Sequence, residues 1–296
     1  MDIKQLAYFV EVAKQKSFTK ASHSLYISQP TLSKMVKSLE AELDVELLDR
    51  SARSSELTDA GKIVYLQGEK ILNMVDDLSS HLYDMMNLKK GHIKIGLPPL
   101  IGALYFPKIL KGFQELNPNI TIELMEHGAN IAQQKILDGE LDFAVGLLPV
   151  DETKFETLPF KKEELMLFVN SSHPFAEKNE VSISDLRNER IILFSEDFML
   201  HDQMIEQCRL AGFEPHISYV SSQWDFISDM VSHNLGITFF PKSILSKINQ
   251  TNVVSIPLVN PEIPWDLGII LRKEKYISYA SRAFINYITS SISHDK

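Results

Sequence analysis

Cysteine occurs once in the 296 residues, at Cys208. No internal disulfide framework can therefore hold the fold, and the chain suits a reducing compartment. No apolar run approaches the length of a membrane span, and the first stretch, Met1 to Lys14, reads as an amphipathic helix rather than a secretory leader. A cytoplasmic location is expected. Signatures of catalysis are missing as well. The nine histidines are scattered, without a His-Glu-x-x-His or Cys-x-x-Cys spacing. There is no Gly-x-Ser-x-Gly elbow, and Gly91 to Gly96 has the glycine separation of a phosphate loop but lacks the lysine after it. No metal, no cofactor and no enzymatic activity are expected. Cys208 lies in an amphipathic stretch, where packing is its expected role.

Positive charge is scarce overall, with a formal net charge of −9, but its distribution is uneven. From Val12 to Leu39 there are five lysines (Lys14, Lys16, Lys20, Lys34, Lys37) and no carboxylate. Local field decides whether a surface attracts phosphate, so a basic patch on an acidic chain remains compatible with nucleic acid. The length allows two or three compact domains, and hydrophobic residues at 44% are enough to give each a core.

The basic segment has the pattern of three short helices. Leu6, Phe9, Val10 and Ala13 follow helical spacing. Ser17 is placed to cap a second helix with Phe18, Ala21 and Leu25 facing inward. Ser28 is placed to cap a third, with Pro30 in its first turn, where a missing N–H costs nothing. In that third helix Leu32, Val36, Leu39 and Leu43 are expected to face the core. Gln29, Pro30, Ser33, Lys34 and Lys37 fall on another face, polar and cationic, with no acid until Glu40. Such a face suits a major groove, where Gln and Lys read base edges and Ser serves as donor or acceptor. Leu47-Leu48-Asp49-Arg50, a polar turn through Ser55, and Leu57-Thr58 then form a two-stranded wing. Arg50 and Arg53 in it are placed for phosphate or a narrow minor groove. Thr58 caps a long helix.

Several blocks at fixed spacing resemble the LysR-type transcriptional regulators: Gln5-Leu6 with Phe9-Val10, Ser17-Phe18-Thr19-Lys20-Ala21, Leu25 through Pro30, Leu39 through Leu43, and Leu57-Thr58-Asp59-Ala60-Gly61. The resemblance implies a winged helix-turn-helix over 1–58 that binds a double-stranded DNA operator. Its contacts would come from Thr19, Lys20, Ser28, Gln29, Pro30, Thr31, Ser33, Lys34 and Lys37, with Arg50 and Arg53 on backbone or minor groove. The sequence departs from the common pattern at Lys34, where arginine is frequent and reads guanine bidentately, and at Thr31, which replaces a common alanine.

From 59 to 88 a stripe of Val64, Gln67, Ile71, Met74, Leu78, Leu82 and Met85, apolar except at Gln67, repeats at 4-3 spacing, the pattern of a coiled-coil seam. A linker helix that forms a homodimer, and through it a homotetramer, is the expectation, with an inverted-repeat operator as target. Leu88 to His92 ends it. Beyond, short apolar strands (Ile93–Leu97, Thr121–Glu126, Leu141–Gly146, Leu165–Asn170, Ile191–Phe194, Ile217–Val220, Gly236–Phe239, Val253–Pro257, Asp266–Leu271) alternate with helical stretches (Ala103–Leu116, Ile131–Leu137, Met199–Ala211, Asp225–His233). Alternation predicts an α/β domain with parallel sheets and helices on both faces. The resemblance implies that 92–296 forms a two-lobed, periplasmic-binding-protein-like effector domain, lobe I being 92–161 with 266–296 and lobe II 162–265.

Ligands of open α/β sheets bind beyond the carboxyl ends of the strands, where helix N-termini offer free N–H groups. The candidate effector residues at those ends are Pro98, Pro99, Leu100, Ile101, His127, Gly128, Ala129, Asn130, Gly146, Leu147, His201, Ser222 and Gln223, and the expected effector is a small organic acid. Serine or threonine is common in the family where Pro98 and Pro99 stand, so the usual hydroxyl contact is absent here. The run Gly96 to Gly102 also resembles a CidR-like subgroup that controls holin-like and acetate-metabolism genes, which would make acetate or pyruvate a candidate signal. A solute-binding or enzymatic α/β domain with an N-terminal adaptor is the alternative from another class.

Overall fold

The computed structural model describes residues 1–49, 56–85, 90–248 and 251–293. The chain divides into two compact units, Met1–Met85 and Met86–Lys296.

In the first unit each helix begins on a side chain able to satisfy its orphan amides. Helix α1 (Ile3–Gln15) starts at Asp2, whose carboxylate accepts from Lys4 N while Gln5 accepts from Asp2 N in return. It ends where Lys16 turns left-handed. Ser17 accepts from Lys20 N at the start of α2 (Phe18–Ser24), and Ser28 accepts from Thr31 N at the start of α3 (Gln29–Leu43). Strands β1 (Leu48–Asp49) and β2 (Glu56–Leu57) pair antiparallel. Thr58 accepts from Gly61 N at the head of α4 (Asp59–Met85). Gly61 is required at its position, because a β-carbon there would lie 2.0 Å from Leu47 O. The core joins Phe9, Val10 and Val12 of α1, Ala21 of α2, Leu32, Val36 and Leu39 of α3, and Leu47 and Leu48. The expected inward stripe of α3 stops one turn early. Leu43 is 37% exposed, at the last helical position before the chain turns left-handed at Asp44.

The second unit runs β3 (Gly91–Gly96), α5 (Pro99–Leu116), β4 (Ile120–Met125), α6 (Ala129–Leu137), β5 (Phe143–Leu147), β6 (Phe155–Asn170), β7 (Val181–Ser182), β8 (Arg190–Phe194), α7 (Met199–Leu210), β9 (His216–Ser221), α8 (Trp224–Ser232), β10 (Thr238–Pro241), β11 (Val253–Val259), β12 (Pro264–Arg272) and α9 (Tyr279–Ser293). Single 3-10 turns span Pro174–Glu177, Ile183–Asn188 and Lys242–Ser246. Strand order is β4-β3-β5-β12-β6-β11-β7, with β10 also on β6 and a separate β8-β9 pair.

Two lobes share the long strand β6. Its first part pairs with β12 from Phe155↔Arg272 to Glu164↔Pro264. Its last part pairs with β10 from Leu165 and with β11 from Met166. Lobe I packs Phe106, Phe113 and Phe143 around Phe284 of α9, with the Phe113 and Phe284 rings edge to face at 4.6 Å. Lobe II packs Phe168 and Phe194 around Phe240.

The expectation of parallel sheets is corrected to mixed ones. β3 is parallel to β4 and β5, and β8 to β9, but β12 is antiparallel to both β5 and β6, and β10 and β11 are antiparallel to β6. β11 and β12 follow one another back along the same strand β6, each antiparallel to it, so neither pairing calls for the long crossover that parallel neighbours need. The first part of β6 and all of α9 were not expected as elements. Phe155 to Glu164 is half charged and carries Pro159, so its strand character comes from its partner β12 rather than from its own composition.

Candidate DNA face and effector cleft

On the head, Thr19, Lys20, Ser28, Gln29, Pro30, Thr31, Lys34 and Lys37 are exposed, and Ser33 is half-buried. The reason is geometric: burial of Leu32, Val36 and Leu39 turns the intervening side of α3 outward. Thr19 donates to Gln29 Oε1 at 3.2 Å, so the starts of α2 and α3 are tied side chain to side chain. Ser28 and Thr31 hydroxyls meet at 2.8 Å. The first acid of α3 is turned elsewhere, as Glu40 Oε1 accepts from Leu47 N and Leu48 N at 3.0 and 3.3 Å. That bond anchors the wing to the end of α3, where Glu40, Asp44 and Glu46 line one surface pocket with Lys37. Arg50 and Arg53 lie outside the described residues.

The stripe on α4 separates by depth. Val64 packs against the head core, whereas Ile71, Met74, Leu78 and Leu82 are exposed, Met74 by 70%. These exposed apolar side chains recur at helical spacing along α4.

In the second unit the first turns of α5, α6 and α7 meet at one cleft between the lobes. It is lined by Pro98, Leu100, Ile101, Ala129 and Leu147 from lobe I, and by Phe194, Phe198, Met199 and Leu200 from lobe II, with Trp265 at the start of β12. None of the three helices carries a side-chain cap. Their first-turn amides are therefore donors without a side-chain partner in an apolar setting, which is where helix N-termini favour an anion. The cavity is about 40 Å³, room for on the order of three waters.

Of the expected effector residues, Pro98, Leu100, Ile101, Ala129 and Leu147 line this cavity, while Pro99, His127, Gly128, Asn130, Gly146, His201, Ser222 and Gln223 do not. His201 is buried and its Nδ1 pairs with Phe194 O at 2.6 Å. Ser222 and Gln223 are exposed at the start of α8. The lobe II wall and Trp265 were not anticipated. The strand end at Ser195-Glu196 was a signal for Phe198 to Leu200, three to five residues on. Nothing local could have placed Trp265, which arrives through strand pairing.

The lobes touch on either side of the cleft. At its mouth Gly128 lies against the Asp197 backbone, and Gln133 Nε2 donates to Met199 Sδ at 3.8 Å. At the crossing strand Tyr105 donates to Glu163 Oε1 at 2.6 Å, and Ser243 N donates to Glu163 Oε2 at 3.1 Å. Burial, and then the Glu163 carboxylate, hold the Tyr105 hydroxyl well above the usual tyrosine range. The Tyr105 ring also packs on Trp265 at 6.4 Å, joining this network to the cleft wall. Cys208 is buried in α7, and its thiol is pushed up to about 11, by burial first and Glu214 second.

No helix among the described residues is long and apolar enough to cross a membrane. Residues 3–62 match the family described as bacterial regulatory helix-turn-helix protein, lysR family, and residues 87–293 match the LysR substrate binding domain. The HTH-type transcriptional regulator YwbI of Bacillus subtilis is 50% identical over 290 residues, spanning 98% of this chain and 96% of its own. The transcriptional dual regulator GltC of the same bacterium is 27% identical over 289 residues, 97% of this chain and 96% of its own. A full-length OxyR from Pseudomonas aeruginosa shares the fold at TM-score 0.73 and 26% identity, covering 99% of this chain and 94% of that one. CbnR, solved in complex with its target DNA, shares the fold at TM-score 0.74 and 22% identity, covering 98% of this chain and all of that one. The chain belongs to the LysR family of transcriptional regulators, with a helix-turn-helix DNA-binding head and an effector-binding domain, and it is not an enzyme.

Proposed function

We propose that this regulator acts in the cytoplasm as a homodimer, and through it a homotetramer. In this reading it meets its operator through the exposed face of α3 and responds to a small monocarboxylate held between its lobes. One observation carries the effector: three uncapped helix starts converge on a cavity of about 40 Å³ whose lining side chains are apolar. Backbone N–H groups suit a carboxylate, the apolar wall suits a short alkyl chain, and the size excludes a large one. The Gly96 to Gly102 run supports a CidR-like regulator, with acetate or pyruvate as the signal. The working division is 1–58 for the head, 59–88 for the linker helix and 92–296 for the effector domain, with lobes of 92–161 plus 266–296 and 162–265.

Dimerisation rests on the exposed stripe of Ile71, Met74, Leu78 and Leu82. DNA contact is assigned to Thr19, Lys20, Ser28 to Thr31, Ser33, Lys34 and Lys37, with Arg50 and Arg53 assigned to backbone or minor groove by sequence alone. The effector works through its different affinity for open and closed lobes, which biases how the assembly sits on the promoter.

Thermal unfolding of the full chain against acetate, pyruvate and longer carboxylates tests the effector. A bound ligand at a hundred times its Kd adds about 2.7 kcal/mol. If no monocarboxylate raises the melting temperature, this effector assignment is abandoned.

A further inference from the structure

We infer that Thr19 is a positioning residue for base readout, holding the Gln29 carboxamide so that its Nε2 amino edge, and not its carbonyl, is offered to the groove. The inference rests on the placement of α3 at the DNA proposed above. Thr19 and Gln29 are ten residues apart, on the first turns of different helices, and the hydroxyl donates to Oε1 at 3.2 Å.

Both backbones are fixed where they stand. Ser17 caps α2 on Lys20 N, and Ser22 Oγ donates to the Thr19 carbonyl at 2.9 Å. Ser28 caps α3 on Thr31 N, which sets Gln29 at the first helical position. The Gln29 side chain is then the one freely turning part. An untethered glutamine amide presents either edge and pairs bidentately with adenine, its oxygen taking the N6 amino group. With Oε1 already accepting from Thr19, one of its lone pairs is spent. The two Nε2 hydrogens face acceptors instead: purine N7, guanine O6 or thymine O4. Thr19 therefore turns an ambidextrous reader into one that favours acceptor edges over amino edges, and it does so before DNA arrives.

The test selects a pool of randomised 30-base-pair duplexes with the full-length chain and sequences what is bound. It compares the natural sequence with Thr19→Val, Thr19→Ser, Gln29→Ala and the double variant Thr19→Val/Gln29→Ala. Thr19→Val is expected to reduce preference about 3- to 10-fold at the one position per half-site that Gln29→Ala also flattens. It should admit adenine or cytosine amino edges there and leave the salt dependence unchanged. Thr19→Ser should keep the natural preference, and the double variant should lose no more than Gln29→Ala alone. Uniform weakening by Thr19→Val, with base preference intact, would make Thr19 a phosphate contact only and overturn the inference. Preference lost in Gln29→Ala but intact in Thr19→Val overturns the positioning role while leaving Gln29 in the groove. If Gln29→Ala changes no preference, the placement of α3 itself fails, and the inference with it.

Discussion

A β-carbon on Gly128 would lie 2.0 Å from the backbone carbonyl oxygen of Asp197, and 2.5 Å from its carbonyl carbon. The two residues belong to opposite lobes, at the start of α6 and just before α7. Backbone against backbone leaves no flexible side chain to give way, so this contact closes the mouth of the cleft only because residue 128 has no side chain.

Gly128→Ala is therefore expected to hold the lobes apart. Overpacking of this kind costs about 1–3 kcal/mol, read as a lower melting temperature of the full chain. Stabilisation by a bound carboxylate should be lost with it, while binding of operator DNA by the head persists. Unchanged melting and unchanged ligand response would mean that the mouth contact carries no weight.

Filling the cavity is a second route to the same state. Ala129 lines the cleft at the first position of α6 and is 5% exposed. Ala129→Leu adds three carbons to a space of about 40 Å³, which is of the order of their own volume. Thermal shifts by acetate or pyruvate should vanish, whereas gel-shift affinity for DNA without effector should stay within twofold.

Tyr105 is the hydroxyl that links α5 to the crossing strand. Tyr105→Phe removes the donor to Glu163 Oε1 and leaves a half-buried carboxylate that still accepts from the Ser243 amide at Oε2. A hydrogen bond to a charged group contributes about 1.5–3 kcal/mol, and partial exposure places the loss at the lower end. The urea midpoint of the full chain should fall accordingly. A midpoint unchanged in Tyr105→Phe would show that water replaces the hydroxyl at no cost.

The Cys208 thiol sets a stability dependence at alkaline pH. Its folded value of about 11 lies above the unfolded 9.0, so the folded chain holds the proton more tightly. That contribution is fully present below pH 9 and is lost as pH rises towards 11, amounting to about 2–3 kcal/mol. Comparing the natural sequence with Cys208→Ala isolates it from the tyrosines and lysines that titrate in the same range. The difference in unfolding free energy should be flat to pH 9 and fall above it, and thiol reagents at pH 8 should react only on unfolding.

Measured salt dependence separates the two kinds of contact on the head. Lys37→Ala should weaken binding to all duplexes alike and reduce the slope of log affinity against log salt by about one, because each neutralised phosphate releases counterions. A Lys37→Ala chain with an unaltered slope would take Lys37 off the phosphate backbone.

How much of this was legible before folding depends on the range of the interactions involved. The head is local. Ser17, Ser28 and Thr58 cap helices within three residues of themselves, and the spacing of Leu32, Val36 and Leu39 alone decides which side of α3 is left for Gln29, Lys34 and Lys37. The end of the stripe is the exception, because the burial of Leu43 depends on which distant residues reach the last turn. The strand ends at Pro98 to Ile101 and Ala129 could also be found in sequence, since helix starts after apolar strands have a recognisable form. Tertiary structure alone decided the rest. The charged first part of β6 becomes a strand because β12 pairs with it, Trp265 reaches the cleft through that same register, and Gly128 meets Asp197 from sixty-nine positions away. Sequence determines what each short segment prefers; which distant segment lies against it is set by the packing of the whole domain.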